Sequence, residues 1–195
     1  MVDHVVSDLC EREPCGRLSI FTGPPGTGKT HLVRSILGVV REERQPRFVL
    51  VQPSDVKMLV SPSFIPAFVS FSKENNGPIV LVLEDADECL LPRGSDNVSQ
   101  IRALLNLSDG LIGSVFDIRV IATTNAKRIE IDPAIKRSGR LCRQVEVGLL
   151  STGHARSVFD RIAPGCGLGH GISEAMTLAD VYARAREAMA ERVAI

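Results

Sequence analysis

The chain has 195 residues, 44% of them hydrophobic and 24% charged. That suffices for one buried core with a small appendage and excludes a disordered tail or a fibrous repeat. Its 23 Lys and Arg balance 23 Asp and Glu, and only 4% of residues are aromatic, so neither a global field nor a stacking surface draws it to nucleic acid.

From the N-terminus, MVDHVVSDLCEREP carries early acidic residues and no long apolar stretch, which is not the pattern of a signal peptide. Strands are predicted at 17–22 (RLSIFT), 47–52 (RFVLVQ), 79–84 (IVLVLE), 118–123 (IRVIAT) and 143–148 (RQVEVG). Helical spacing falls between them, at 28–40, 63–75 and 96–107, where Val98, Ile101, Leu104 and Leu105 share a face. This alternation is the pattern of an α/β fold, a parallel sheet with helices on both faces. The longest clean apolar run, 79–83, is five residues, where a membrane span needs about 20.

After Gly148 no further strand is predicted. Residues 151–163 and 177–193 read as helices, the second opened by a capping box of Thr177 and Asp180. The expected division is a sheet domain over 1–150 and a short helical subdomain over 151–195. The glycine-rich stretch 164–171 follows a helix rather than a strand and reads as a connector. Within it Cys166 and His170 are two ligands and do not make a metal site. The five cysteines, Cys10, Cys15, Cys89, Cys142 and Cys166, form no CxxC pair and read as reduced thiols of a cytoplasmic protein.

The strongest chemical signal is GPPGTGKT, residues 23–30, which fits GxxxxGK[ST] between a predicted strand and a predicted helix. Such a loop meets phosphate charge with successive backbone N–H groups, the positive end of a helix and one ammonium. Gly23, Pro24, Pro25, Gly26, Thr27, Gly28, Lys29, Thr30 and the adjoining His31 are the candidate nucleotide-binding residues. Lys29 is suited to β- and γ-phosphates and Thr30 to Mg²⁺. The run IVLVLEDAD, 79–87, brings Glu84, Asp85 and Asp87 out of a strand that suits burial on both faces. In open α/β sheets the carboxyl ends of strands are where ligands bind. VIATTN, 120–125, ends in Thr124 and Asn125; taken alone it is a turn, but an amide there suits a γ-phosphate or an attacking water. DPAIKRSGR, 132–140, holds Arg137 and Arg140 three apart, which in isolation is a solvated turn and beside a nucleotide is a source of charge for the transferring phosphoryl group.

In this order the four blocks resemble the AAA+ ATPases, specifically the AAA group with its second region of homology, which stretch 102–141 carries. The resemblance covers roughly residues 17 to 193. It implies a P-loop NTPase fold with a five-stranded parallel sheet in the order 5-1-4-3-2, a C-terminal helical lid, ATP and Mg²⁺ as ligands, and a homo-oligomeric ring, commonly of six subunits. It further implies Thr30 and Glu84 at the metal, Asn125 as sensor 1, and Arg137 and Arg140 as fingers in the neighbouring subunit's site. Met58, Leu59 and Val60 fall where the family places its first pore loop.

The sequence departs from the family in four respects. Its acids run Glu84-Asp85 rather than Asp-Glu, a reversal shared with the mitochondrial Rieske-protein translocases of the group. Asp is one methylene shorter than Glu, which predicts slower hydrolysis. The pore-loop segment VKMLVSPS has no aromatic, the lid is short with no arginine assigned as a second sensor, and residues 1–16 alone precede the first strand. The reading is an ATPase that remodels a macromolecular partner, protein rather than DNA. The alternatives are a nucleotide-dependent scaffold that hydrolyses little and a DNA-associated loader.

Overall fold

A computed structural model of the chain describes residues 2–13, 16–74, 77–94, 96–126, 130–167 and 171–193; Cys15 and His170 lie outside them. β1 (Leu18–Thr22), β2 (Arg47–Val51), β3 (Ile79–Leu83), β4 (Ile118–Thr124) and β5 (Leu141–Glu146) form one sheet in the order β2-β3-β4-β1-β5, all neighbours parallel. Read from the other edge, this is the expected 5-1-4-3-2. Every residue of β1, β3 and β4 is buried, whereas β2 and β5 are mostly half-buried. Strand composition explains the order, because only a near-continuous apolar run tolerates helices on both faces and a neighbour on each side.

Alternate residues of the central strands, Leu18 and Ile20, Ile79, Leu81 and Leu83, and Ile118, Val120 and Ala122, share one hydrophobic core. That core is completed by α3 (Val56–Leu59), α4 (Ile65–Glu74), α5 (Asp87–Leu90) and α6 (Val98–Asp109) through Val56, Leu59, Phe68, Leu90, Leu104 and Leu107. Burying a Leu or Phe of this kind contributes roughly 1.5–3 kcal/mol. Strand boundaries shift by one or two residues. The last strand begins at Leu141 rather than 143 and ends at Glu146, and β4 extends to Thr124. The segment 63–75 opens as a 3₁₀ turn, Pro62–Phe64, before α4, because Pro66 fits only the first turn of a helix.

Among the helices not expected from the sequence, the longest stands at the N-terminus. α1 (Val2–Cys10) buries Val5, Val6 and Leu9, which helical spacing places on one face. It is fastened to the sheet by arginines. Arg119, in β4 and 1% exposed, donates from Nε to Asp117 (2.8 Å), from Nη1 to the Asp8 carbonyl (3.2 Å) and from Nη2 to the Glu11 carbonyl (2.7 Å). Arg143 pairs with the Asp8 carboxylate, and Arg44 donates to the Cys10 carbonyl. Carbonyls at a helix C-terminus lack intrahelical donors, and guanidinium groups satisfy them. Burial pulls the Arg119 pKa below the usual guanidinium range, and Asp117 opposes that shift. Arg119→Ala is expected to destabilise the fold by about 2–4 kcal/mol, since it leaves two carbonyls without their donor and takes one partner from Asp117, which keeps Arg17 and Arg44. Urea denaturation checks this; a midpoint unchanged from wild type contradicts it.

The chain separates into two compact units, residues 1–22 with 30–146 and residues 23–29 with 147–195. The larger also contains α2 (Lys29–Arg44), from its second residue onward, and α7 (Leu111–Val115). The smaller has its own core, in which α8 (Thr152–Ile162) and α9 (Leu178–Val193) meet through Ala155, Phe159, Val181, Ala185 and Ala188, closed by Ile172 and Met176. The expected capping box is present. Asp180 N–H donates to Thr177 Oγ1 at 3.1 Å, and Thr177 N–H donates back to the Asp180 carboxylate at 3.2 Å. The Thr177 hydroxyl, which donates to the same carboxylate at 2.6 Å, and then the Thr177 N–H hold the Asp180 carboxyl below its ordinary value.

Candidate active site

The phosphate-loop candidates occupy the tight turn between β1 and α2, and seven of them, Gly23–Lys29, belong to the smaller unit. Gly26 and Gly28 have φ of +79° and +95°, which a side chain resists. A Cβ on Gly28 would also stand 2.7 Å from Leu178 Cδ2. Lys29, 8% exposed, donates from Nζ to the carbonyls of Gly23 (2.8 Å) and Pro24 (3.0 Å), and Thr27 Oγ1 donates to the same Pro24 carbonyl at 2.9 Å. Pro24 and Pro25 are exposed and have no N–H, so the loop's backbone donors come from its glycines, Thr27 and the first turn of α2. Thr30 is half-buried and His31 exposed in that first turn. The loop is tied to the capping box of α9, because the Gly26 carbonyl accepts the Ala179 N–H at 3.0 Å. Ala179 was not legible as a site residue: its contribution is a backbone donor, and no side chain announces it.

In the larger unit the strand order places the carboxyl ends of β1, β4 and β3 side by side. Glu84 and Asp85 follow β3 directly, the first half-buried and the second exposed. Asn125 follows β4, and its Nδ2 donates to Asp85 Oδ1 at 3.4 Å. The predicted acid and the predicted amide are thus brought together. Asp85 has φ of +49°, a left-handed conformation that costs a non-glycine residue about 1 kcal/mol or more, least for Asp and Asn. Two acceptors of β4 hold this turn: Asp85 N–H donates to Thr123 Oγ1 at 3.1 Å and Ala86 N–H to the Thr123 carbonyl at 2.8 Å. Asp87 serves a different purpose, accepting the Thr124 hydroxyl at 2.5 Å, while Thr124 Oγ1 accepts the Ala126 N–H at 2.9 Å. It is an anchor of the turn rather than a third open acid.

The two arginines are placed differently. Arg140 donates from Nε to Asp109 Oδ2 and from Nη1 to the Ala134 carbonyl, both at 2.9 Å, so it braces its own turn. Arg137 is exposed. Of the three positions expected at a pore loop, Met58 is 58% exposed, Val60 is half-buried and Leu59, at 4%, belongs to the core. Leu59 therefore presents nothing to solvent, a consequence of α3 forming where a loop was expected.

Oxygen donors dominate this end of the sheet. The Thr30 hydroxyl and the Glu84 carboxylate suit a hard cation such as Mg²⁺, which takes one or two protein oxygens and completes its octahedron with phosphate and water. Among the described residues no group of three or more His, Cys, Asp or Glu side chains could hold a metal without such help.

Residues 19–149 match the model of the ATPase family associated with various cellular activities. Among curated proteins, the chain is 34% identical over 138 residues to the ATP-dependent zinc metalloprotease FTSH 6, chloroplastic, of Arabidopsis thaliana, covering 67% of this chain and 19% of that one. It is 33% identical over 138 residues to the ATP-dependent zinc metalloprotease FtsH of Haemophilus influenzae, covering 67% and 21%. It is 30% identical over 151 residues to the mitochondrial inner membrane m-AAA protease component AFG3L2 of Mus musculus, covering 72% and 18%. The chain thus spans about a fifth of the length of these relatives.

Proposed function

Because the chain belongs to the AAA family of ATPases, we propose that it is a Mg²⁺-dependent motor module that assembles into a homo-oligomeric ring and couples ATP hydrolysis to remodelling a protein partner. The observation that carries the hydrolytic part is the pairing of Asn125 with Asp85 at 3.4 Å, where β4 and β3 leave the sheet.

In this reading the Lys29 ammonium exchanges the Gly23 and Pro24 carbonyls for β- and γ-phosphate oxygens, helped by the N–H groups that open α2. Thr30 and Glu84 would hold Mg²⁺, which when bound would neutralise charge on the phosphate oxygens. Asp85 accepts a proton from the attacking water, and Asn125 orients that water or the γ-phosphate without adding negative charge. Arg137 enters the neighbouring subunit's site. Arg140, committed to Asp109 and Ala134, supports the turn that presents it. The helices of residues 151–195 form the lid, joined to the loop by the Gly26–Ala179 bond.

Balanced charge supports a protein partner over nucleic acid, as does the naming of two relatives as ATP-dependent metalloproteases, which act on protein. Exposed Met58 is the pore-loop residue available to touch that partner. A cytoplasmic location is proposed on the cysteines: Cys10, Cys89, Cys142 and Cys166 form no disulfide. Burial pushes the Cys89 thiol up to about 12, and burial together with Glu43 pushes Cys10 up to about 11. Neither is a reactive thiolate near neutral pH. No helix among the described residues is long and apolar enough to cross a membrane.

The trans role of Arg137 is tested by mixing. Arg137→Ala and Lys29→Ala subunits should each be inactive alone. A random equimolar mixture should recover about a quarter of wild-type phosphate release, because half the subunits keep an intact loop and half of those have an intact neighbour. A mixture as inactive as its parts, from subunits shown by mass to co-assemble, would sink the shared site.

A further inference from the structure

We propose that Thr123 is a positioning residue for hydrolysis: its hydroxyl holds the Asp85 N–H, and with it the left-handed turn that aims the Asp85 carboxylate at Asn125. The proposal rests on the reading of Asp85 as the acid that takes the proton from water.

The register of the sheet shows why a special device is needed. β3 and β4 pair in parallel as far as Leu83 opposite Ala122. Had the pairing continued, Glu84 and Asp85 would have stayed extended and pointed to opposite faces of the sheet. Instead the chain turns back after Glu84, and Thr123 alone accepts two N–H groups, that of Asp85 on its hydroxyl and that of Ala86 on its carbonyl. The carbonyl bond is available to any residue at 123, but the hydroxyl bond requires Thr or Ser. It falls on the residue whose φ of +49° is unfavourable without support.

Thr123 is 2% exposed, and strand alternation points it to the face opposite Thr124. The two threonines divide the work accordingly. Thr124 pins Asp87, at the start of α5, and Thr123 pins Asp85. The consequence is chemical. An Asp is a methylene shorter than a Glu, so its reach toward a water depends on where the backbone carries its Cβ. A side chain held by the turn does not recover a lost reach by rotating, and displacements of about 1 Å in a reacting group cost on the order of 10²-fold in rate.

The experiment compares Thr123→Val, which keeps the shape and removes the acceptor, with Thr123→Ser, which keeps the acceptor. Both are measured in the full chain by steady-state phosphate release, by ATP titration and by hydrogen exchange at the Asp85 amide. Thr123→Val should lower kcat roughly 10- to 100-fold, leave ATP affinity within twofold and speed Asp85 amide exchange, while Thr123→Ser restores kcat and protection. In an Asp85→Asn background, Thr123→Val should have no further effect on kcat. Unchanged Asp85 exchange in Thr123→Val, or a loss of kcat that Ser does not restore, overturns the positioning role. So does a kcat loss accompanied by an equal loss of ATP affinity and a lowered melting temperature, which marks general damage. If Asp85→Asn alone leaves turnover intact, the reading of Asp85 falls instead, and that outcome is separate from any result at Thr123.

Discussion

Asp85→Asn is expected to leave ATP binding intact and to lower phosphate release by about 10²–10⁴-fold, the range that positioned general bases contribute. Asn is the appropriate replacement for a structural reason. Asp85 sits at φ of +49° with its N–H on Thr123, and Asn occupies left-handed backbone as readily as Asp does. The substitution therefore removes the proton acceptor and leaves the turn. Asp85→Glu is less informative, since Glu bears the left-handed conformation less easily. The same preference gives the reversed acid order a physical rationale, because the shorter acid stands at the residue whose backbone is left-handed. Turnover within a factor of two of wild type in Asp85→Asn would remove Asp85 from the mechanism.

Lys29→Ala is expected to weaken ATP binding by about 2–4 kcal/mol, or roughly 30- to 1,000-fold in Kd, as loss of a buried charge-assisted contact to phosphate implies. The Lys29 ammonium also joins the Gly23 and Pro24 carbonyls within the loop. Part of the effect will therefore be loosening of the loop rather than lost attraction. Lys29→Arg separates the two contributions: it keeps the charge but not the compact geometry that lets one ammonium reach both carbonyls. Calorimetric titration with ATP in Mg²⁺ measures each affinity, and melting temperatures without nucleotide show whether the loop alone is damaged. An affinity unchanged in Lys29→Ala would remove this loop as the phosphate site.

Arg119→Ala and the Arg137 mixing experiment address different levels of the same molecule. The first tests how α1 is held against the sheet and predicts a change in stability. The second tests an assembled ring and predicts no change in the stability of the subunit. Arg119 is 1% exposed and bonded on three sides, whereas Arg137 is exposed, so the contrast follows from burial.

Much of the fold was legible because its determinants are local. IVLVL is an apolar run and IRVIATT and LSIFT are rich in apolar and β-branched residues, a composition that suits the buried middle of a parallel sheet, and all three are central. The phosphate loop is eight consecutive residues whose glycines, lysine and threonine declare the chemistry in place. The capping box of α9 spans four residues and formed as its spacing implied. What was missed is short or non-local. α1 carries the helical spacing Val2, Val5, Val6 and Leu9, but the arginines that anchor it beside that apolar face come from as far away as Arg119 and Arg143. α3 takes Leu59 into the core from a segment read as a loop.

The sequence by itself determined the class of protein: a parallel α/β sheet, a phosphate loop opening a helix, and acids and an amide at strand ends. Each of these is written in contiguous residues whose periodicity or charge acts over a few ångströms. Only the tertiary structure decided which residues serve one another. Asp85 meets the hydroxyl of a residue 38 positions away and the amide of one 40 positions away, and Arg140 is claimed by an aspartate 31 positions earlier while Arg137 stands exposed. Those pairings depend on strand order, on a left-handed turn and on backbone N–H groups that every residue but proline possesses, so the spacing of side chains along the chain does not encode them.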